Sequence, residues 1–177
     1  WPERPTHVCK TVGGSTVHWQ AQAFRFLAHE FQPRTTYGVI DGTSLIDWPL
    51  TLDDLLPYYG RAEENMGVSG RGGRPFHPAT NATRVFALGA KRLGYNDFGV
   101  TNMAINSVPY DGRNACDQIG FCAQGCASGA KWSTLYADIP KAEASGRCEV
   151  RANCMALRVE HARGQATGVL YVDAAGA

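Results

Sequence analysis

No run in this sequence approaches the ~18 consecutive apolar residues of a membrane-spanning helix, which excludes a helical span within it. Charge of one sign is also missing: 17 Lys and Arg against 16 Asp and Glu leave a net +1. Nucleic-acid binders carry a basic patch or stripe, so that class loses its electrostatic footprint. There is no initiating methionine and no basic-then-apolar leader, so a targeting peptide is expected to be absent or cut away. A strand–GxGxxG–helix, which seats a dinucleotide pyrophosphate on a helix N-terminus, does not occur. Internal repeats and low-complexity tracts are lacking too. What is there is 177 residues, 44% of them hydrophobic, enough for one good core or two small ones. The chain opens inside Trp1-Pro2-Glu3 and closes on Ala174-Ala175-Gly176-Ala177, which reads as a hairpin tip; both ends are expected to be cuts.

One stretch organises the rest: Cys9-Lys10-Thr11-Val12-Gly13-Gly14-Ser15-Thr16-Val17-His18-Trp19. Two adjacent glycines remove Cβ obstruction and allow left-handed backbone, and successive N–H groups there can form an anion-binding concavity. Ser15 and Thr16 add hydroxyls, and His18 and Trp19 add a titratable ring and a flat aromatic. Taken alone, Gly-Gly-Ser-Thr is also an ordinary turn.

The stretch resembles the signature segment of the GMC (glucose–methanol–choline) oxidoreductases, flavoproteins in which this segment runs along bound FAD. Lys10, Val12, Gly13, Gly14, Ser15 and Thr16 fit the family pattern, whereas Cys9 stands where many members have Gly or Ala. His18-Trp19 departs from the alcohol oxidases and looks like the branch of gluconate 2-dehydrogenase and related sugar-dehydrogenase flavoprotein subunits. Matching stretches recur from Val12 to Asp173. The resemblance implies an FAD-dependent enzyme acting on CH–OH groups, of which this chain is a middle piece roughly a third as long. The family's catalytic His lies beyond this chain, so no catalytic residue is assigned and the piece alone is expected to be inactive. His18 as the base is the minor alternative.

Further along, Phe24, Phe26, Leu27 and Phe31 lack a clean period and are expected to be core aromatics on loop with short extended pieces. Thr51 with Asp54 reads as a capping box, followed by an apolar stripe of Leu52, Leu55, Leu56, Tyr59, Ala62 and Met66, with Pro57 inside and Gly67 as the stop. Tyr58 and Tyr59 are expected to pack. Gly67 to Pro75, rich in glycine with two arginines, reads as an exposed connector, with phosphate binding a weak alternative. A second helix fits Thr80 to Leu93, stopped by Gly94 and beginning on the sequon Asn81-Ala82-Thr83. Ala104 to Arg113 is turn-rich. Ser133 is expected to cap a short helix, Thr134 to Ile139, that Pro140 interrupts before Lys141 to Ala144. Strands are expected at Cys148–Arg151, Met155–Glu160 and Thr167–Val172, the last two as a hairpin. In the family a corresponding strand passes the adenine of FAD, which places Ala156 among the cofactor-lining residues by resemblance.

Cys116, Cys122 and Cys126 fall within eleven positions, with Gly120 and Gly125 between them. Three thiolates can hold a metal or an iron–sulfur cluster. Zinc wants a fourth ligand, and His77, the nearest histidine in sequence, is distant. A disulfide between two of them, or three reduced thiols, stays open as well. The segment runs into Gly129-Ala130-Lys131, as it does in sugar-dehydrogenase flavoproteins, several of which bind a [3Fe-4S] cluster on three cysteines and pass electrons to a cytochrome subunit. Cys9, Cys148 and Cys154 are read as small buried hydrophobes.

The expected architecture is α/β, with helix and strand mixed: a partial FAD-binding GMC-type fold with an inserted, partly helical substrate-side segment. Residues 1–40 and 132–177 would belong to the FAD domain, 41–110 to the substrate side and 111–131 to the cysteine loop. Gly13, Gly14, Ser15, Thr16, His18, Trp19 and Ala156 would line FAD, and Cys116, Cys122 and Cys126 would hold the cluster. A small subunit and a cytochrome c subunit are the implied partners, with a periplasmic location or membrane attachment through them, and the cytoplasm as the alternative. The rivals are a cluster-free oxidase of the same family and a non-enzymatic electron-transfer or metal-binding module. A piece of this kind is expected to expose apolar surface.

Overall fold

Three short extended segments lie side by side at the centre of the computed structural model, which describes residues 9–176. The middle one, 102–106, receives Ala23 N–H at Asn102 O (3.1 Å) and donates Ala104 N–H to Ala21 O (2.7 Å). On its other side Asn106 N–H reaches Ala130 O (3.0 Å) and Trp132 N–H reaches Ala104 O (2.8 Å). Alanines at 21, 104 and 130, all fully buried, let the three backbones and their neighbours approach closely. Val68 and Ile105 complete this core, and Trp19, Met66, Met103, Trp132, Cys116, Cys122 and Cys126 pack against it.

Four α-helices and one hairpin are formed among the described residues. Helix α1 is Pro33–Tyr37, α2 Leu52–Met66, α3 Asn81–Arg92 and α4 Asp138–Ala144; strands β1 (Met155–Ala162) and β2 (Gln165–Val172) are antiparallel. The architecture is the mixed helix-and-strand arrangement expected of a partial GMC fold. Among the described residues no helix is long and apolar enough to cross a membrane.

Helix α2 begins as the sequence predicts. The Thr51 hydroxyl accepts from Asp54 N–H, and the Asp54 carboxylate accepts from Thr51 N–H at 2.8 Å, holding Asp54 below its ordinary carboxylate value through that backbone bond. The helix runs through Pro57 and stops at Gly67, which is left-handed at φ 69°. A Cβ on Gly67 would sit 2.6 Å from Asn106 Oδ1 and 2.8 Å from Tyr110 Cδ1, so both conformation and space demand glycine. The stripe differs from expectation. Leu52, Leu55, Tyr59 and Met66 turn inward, but Ala62 and Leu56 are exposed, and the one buried member is Glu63. Arg25 accounts for this, because it brings an opposite charge to that face.

Four other expectations are corrected. Of Phe24, Phe26, Leu27 and Phe31 only Phe31 is buried, in a cluster with Phe26 and Trp48, because 28–31 turns back as a 3-10 helix instead of running extended. The glycine-rich stretch after α2 is not an exposed connector: Val68, Ser69 and Arg74 are buried, and Ser69 N–H donates to Met103 O at 2.8 Å. Pro140 does not interrupt a helix; it sits in the first turn of α4, where its missing N–H costs nothing, while 134–137 forms turns. No strand forms at 148–151, where Arg151 reaches Glu149 and the Tyr171 hydroxyl of the hairpin through its side chain and not through a backbone ladder, and Cys148 is exposed, not buried. Helix α3 takes its predicted place, with the Thr80 hydroxyl accepting from Thr83 N–H.

The hairpin β1–β2 closes on Arg163-Gly164, both at positive φ, a two-residue turn of the primed kind. Both strands are exposed along almost their whole length, including Leu157, Val159, Val169 and Leu170. The exposure is general: the chain presents 13249 Å², where a compact monomer of 19.2 kDa presents about 8,400 Å².

Candidate functional site

The glycine stretch folds as a 3-10 turn, Gly14–Val17, capped by Gly13 in the left-handed region. Its two glycines do different work. A Cβ on Gly13 would meet Leu135 Cβ at 2.8 Å and Val17 Cγ2 at 2.9 Å, so this residue is glycine for packing. Gly14, at φ 56°, has nothing within 4 Å of where its Cβ would be. Its N–H is taken by Thr11 O at 2.8 Å. Thr16 faces inward: its hydroxyl bonds Gly13 O and lies 3.1 Å from the Thr134 hydroxyl, while Thr134 N–H donates back to it at 3.2 Å. Ser15 and His18 are exposed on the outer edge, beside Gly14. The inner edge of the turn is thus tied to residues 134–135, and Gly14 lies open at its outer edge.

The cysteine segment docks against this turn. His18 Nδ1 lies 3.0 Å from Ala123 O, and a carbonyl only accepts, so Nδ1 donates its proton there. Trp19 Nε1–H donates to Trp132 O at 2.9 Å, and the two indoles meet edge to face at 5.8 Å. The third tie is Lys131, which the sequence reading passed over as the end of Gly-Ala-Lys. Fully buried, its ammonium donates to Val17 O (2.8 Å), Trp19 O (2.8 Å) and Cys122 O (2.6 Å). The signal for it was available: a lysine between an alanine and a tryptophan, in a segment otherwise small or apolar.

Cys116, Cys122 and Cys126 line one cavity of about 360 Å³, together with Ile119, Phe121 and Tyr136. Cys116, Cys122 and Cys126 are all free thiols, so no disulfide joins two of them. Burial pushes the Cys116 thiol up. Burial acts the same way on Cys126, but N–H donation from Lys131 (3.4 Å to Sγ) and the Ser128 hydroxyl outweigh it, and that thiol lies below its ordinary value. Among the described residues no three His, Cys, Asp or Glu side chains gather tightly enough for a single metal ion. His77 is nearer than the sequence suggests: with Cys116 and Cys122 it lines an adjoining, mainly apolar cavity of about 500 Å³, its Nε2 3.1 Å from Ile105 O.

Ala156 stands apart. It is exposed on β1 opposite Tyr171, and no described hydrogen bond or core contact joins the hairpin to the 13–19 turn. The structure thus brings together Gly13 to Trp19 and Cys116 to Cys126, but not Ala156.

Comparison with known proteins bears on the family. The fructose dehydrogenase large subunit of Gluconobacter japonicus is 32% identical over 97% of this chain and 34% of its own length. The 6'''-hydroxyparomomycin C oxidase of Streptomyces lividus is 34% identical over 92% of this chain and 32% of its own. The gluconate 2-dehydrogenase flavoprotein of Pantoea cypripedii is 25% identical over 93% of this chain and 33% of its own. The chain therefore spans about a third of the length of these relatives. The sequence profile of the GMC oxidoreductases matches residues 4–177, nearly all of the chain, and the chain belongs to that family.

Proposed function

We propose that this chain is the part of an FAD-dependent oxidoreductase that carries the flavin-facing turn and an electron-exit segment. The substrate class is an alcohol group on a sugar, a sugar acid or a similar alcohol. The observation that carries the reading is the docking of the Gly13–Trp19 turn onto the Cys116–Cys126 segment through Lys131, His18 and Trp19, in a chain of this family. Gly14, Ser15 and His18 hold the open edge along which FAD would lie, while Gly13, Thr16 and Trp19 set its shape from behind. FAD, when bound, accepts the hydride from the alcohol carbon, which is the cofactor's own chemistry. The chain would supply the bed and orients the His18 ring through its Nδ1 bond to Ala123 O.

Cys116, Cys122 and Cys126 would hold an iron–sulfur cluster of the [3Fe-4S] type. Three free thiols around one cavity, one of them held below its ordinary thiol value by hydrogen bonds, support this. A cluster spreads its thiolates over several irons, so they need not meet at a single ion. Electron transfer to a cytochrome subunit, a small-subunit partner and a periplasmic or membrane-attached setting belong to the same reading. The name of the fructose dehydrogenase relative, a large subunit, says of that protein that it has a companion.

The second reading is an oxidase that hands electrons to oxygen with no cluster. Its support is the two relatives named as oxidases, the Streptomyces lividus enzyme above and the paromamine 6'-oxidase of Streptomyces fradiae, 32% identical over 89% of this chain. The test is iron and acid-labile sulfide per flavin on the full-length protein purified without oxygen, with the rate of oxygen uptake on a panel of sugars. About three irons per flavin supports the cluster. Flavin without iron, and peroxide formed in step with substrate, gives the reaction to oxygen. Co-purification of a haem-bearing subunit reads the partner.

A further inference from the structure

Lys131 is a buried cation that no acid answers. Its side chain is wholly inaccessible, its three hydrogen bonds all go to neutral carbonyls, and no carboxylate among the described residues pairs with it. Buried ammonium groups are costly unless an opposite charge is near, and carbonyl dipoles offset only part of that cost. The nearby buried cation is different in this respect. Arg113 donates to Ala130 O at 3.2 Å and Met66 O at 3.1 Å, yet it has Asp111 and Asp138 close enough to favour its charge. Around Lys131 the groups able to carry negative charge are Cys122, whose carbonyl it holds, and Cys126, whose Sγ accepts from its backbone N–H at 3.4 Å.

We propose that Lys131 is the internal counter-charge of the centre held by Cys122 and Cys126, and the pin that fixes this centre against the flavin turn at Val17 and Trp19. The inference rests on the cluster reading above. A cation fixed beside an anionic centre favours the state with one more electron, so Lys131 raises that centre's reduction potential. Because the same ammonium bonds two carbonyls of the 13–19 turn, a change at the cysteines is felt on the flavin side.

The test uses the full-length protein purified without oxygen, as wild type and as Lys131→Met, Lys131→Gln and Lys131→Arg. The measurements are iron per flavin and the cluster's midpoint potential, read by EPR during redox titration. Both neutral variants are expected to shift the potential downward and to lose iron during purification, with Lys131→Arg restoring most of both. Met or Gln in place of Lys131 with unchanged iron and unchanged potential makes Lys131 a packing residue, which overturns the inference and leaves the cluster standing. Iron-free wild type overturns the cluster, and the counter-charge with it. Should neither neutral variant fold, an iron-loaded Lys131→Arg protein near the wild-type potential supports the charge, and a Lys131→Arg protein that also fails to fold overturns it.

Discussion

Arg25 grips Glu63 in a fork, Nε to Oε1 at 2.7 Å and Nη2 to Oε2 at 2.6 Å, across the inward face of α2. The Glu63 side chain is only 8% exposed and Arg71 approaches the same carboxylate, so α2 is anchored by a charge where its apolar stripe should have been. The pairing holds the Glu63 carboxyl below its ordinary value, chiefly through the bond from Arg25.

That sets a pH dependence. A depressed carboxylate contributes stability that is present above its unfolded value, about 4.3, and is lost as pH falls through the lower folded value. The thermal midpoint of the full-length protein should therefore fall below about pH 4 more steeply than that of Glu63→Gln. Arg25→Ala strands the carboxylate and is expected to cost about 2–3 kcal/mol near neutrality, less than a fully sealed pair because Arg25 is partly exposed and Arg71 remains. Equal acid slopes for wild type and Glu63→Gln would count against this account of α2.

The two glycines of the flavin-facing turn should separate in a mutant pair. Gly13→Ala drives a Cβ into Leu135 and Val17 at positive φ, whereas Gly14→Ala meets only the conformational cost. Gly14→Ala is expected to cost about 1–2 kcal/mol, and Gly13→Ala to exceed it, with flavin lost on gel filtration. Equivalent losses of stability at the two positions would show that the close contact at Gly13 is relaxed in solution.

The cysteines divide by position. Cys116→Ser, Cys122→Ser and Cys126→Ser should each strip most of the iron from the anaerobically purified protein. Cys148→Ser, at an exposed site outside the cavity, should keep wild-type iron. Iron retained in all three cavity variants would remove the cluster from this segment.

Gly67→Ala tests the joint between α2 and the core. Its Cβ would lie 2.6 Å from Asn106 Oδ1, at φ 69°, in a wall that also holds Tyr110 and Arg113. A loss of about 2–4 kcal/mol in urea unfolding is expected, from left-handed strain and overpacking together. A variant within about 0.5 kcal/mol of wild type would mean that this wall gives way.

The local part of this protein was written in its sequence. The Thr51–Asp54 box, the Gly67 stop, helix α3 between Thr80 and Gly94, and the hairpin around Arg163-Gly164 follow from caps, turns and periodicity, which act between residues a few positions apart. The Gly13–Thr16 signature and the spacing of Cys116, Cys122 and Cys126 marked the family and the candidate site for the same reason. Tertiary structure decided the rest, because it concerns partners far apart in the chain. Nothing near Glu63 in sequence announces Arg25, thirty-eight positions away, yet that charge makes Glu63 the one buried residue of α2. Nothing near Lys131 announces Val17 and Trp19, more than a hundred positions earlier, whose carbonyls turn a lysine into the buried tie between the flavin turn and the cysteines. A buried cation is stable only where the folded backbone aims dipoles and charge at it, and that arrangement exists only once the three central segments have come together.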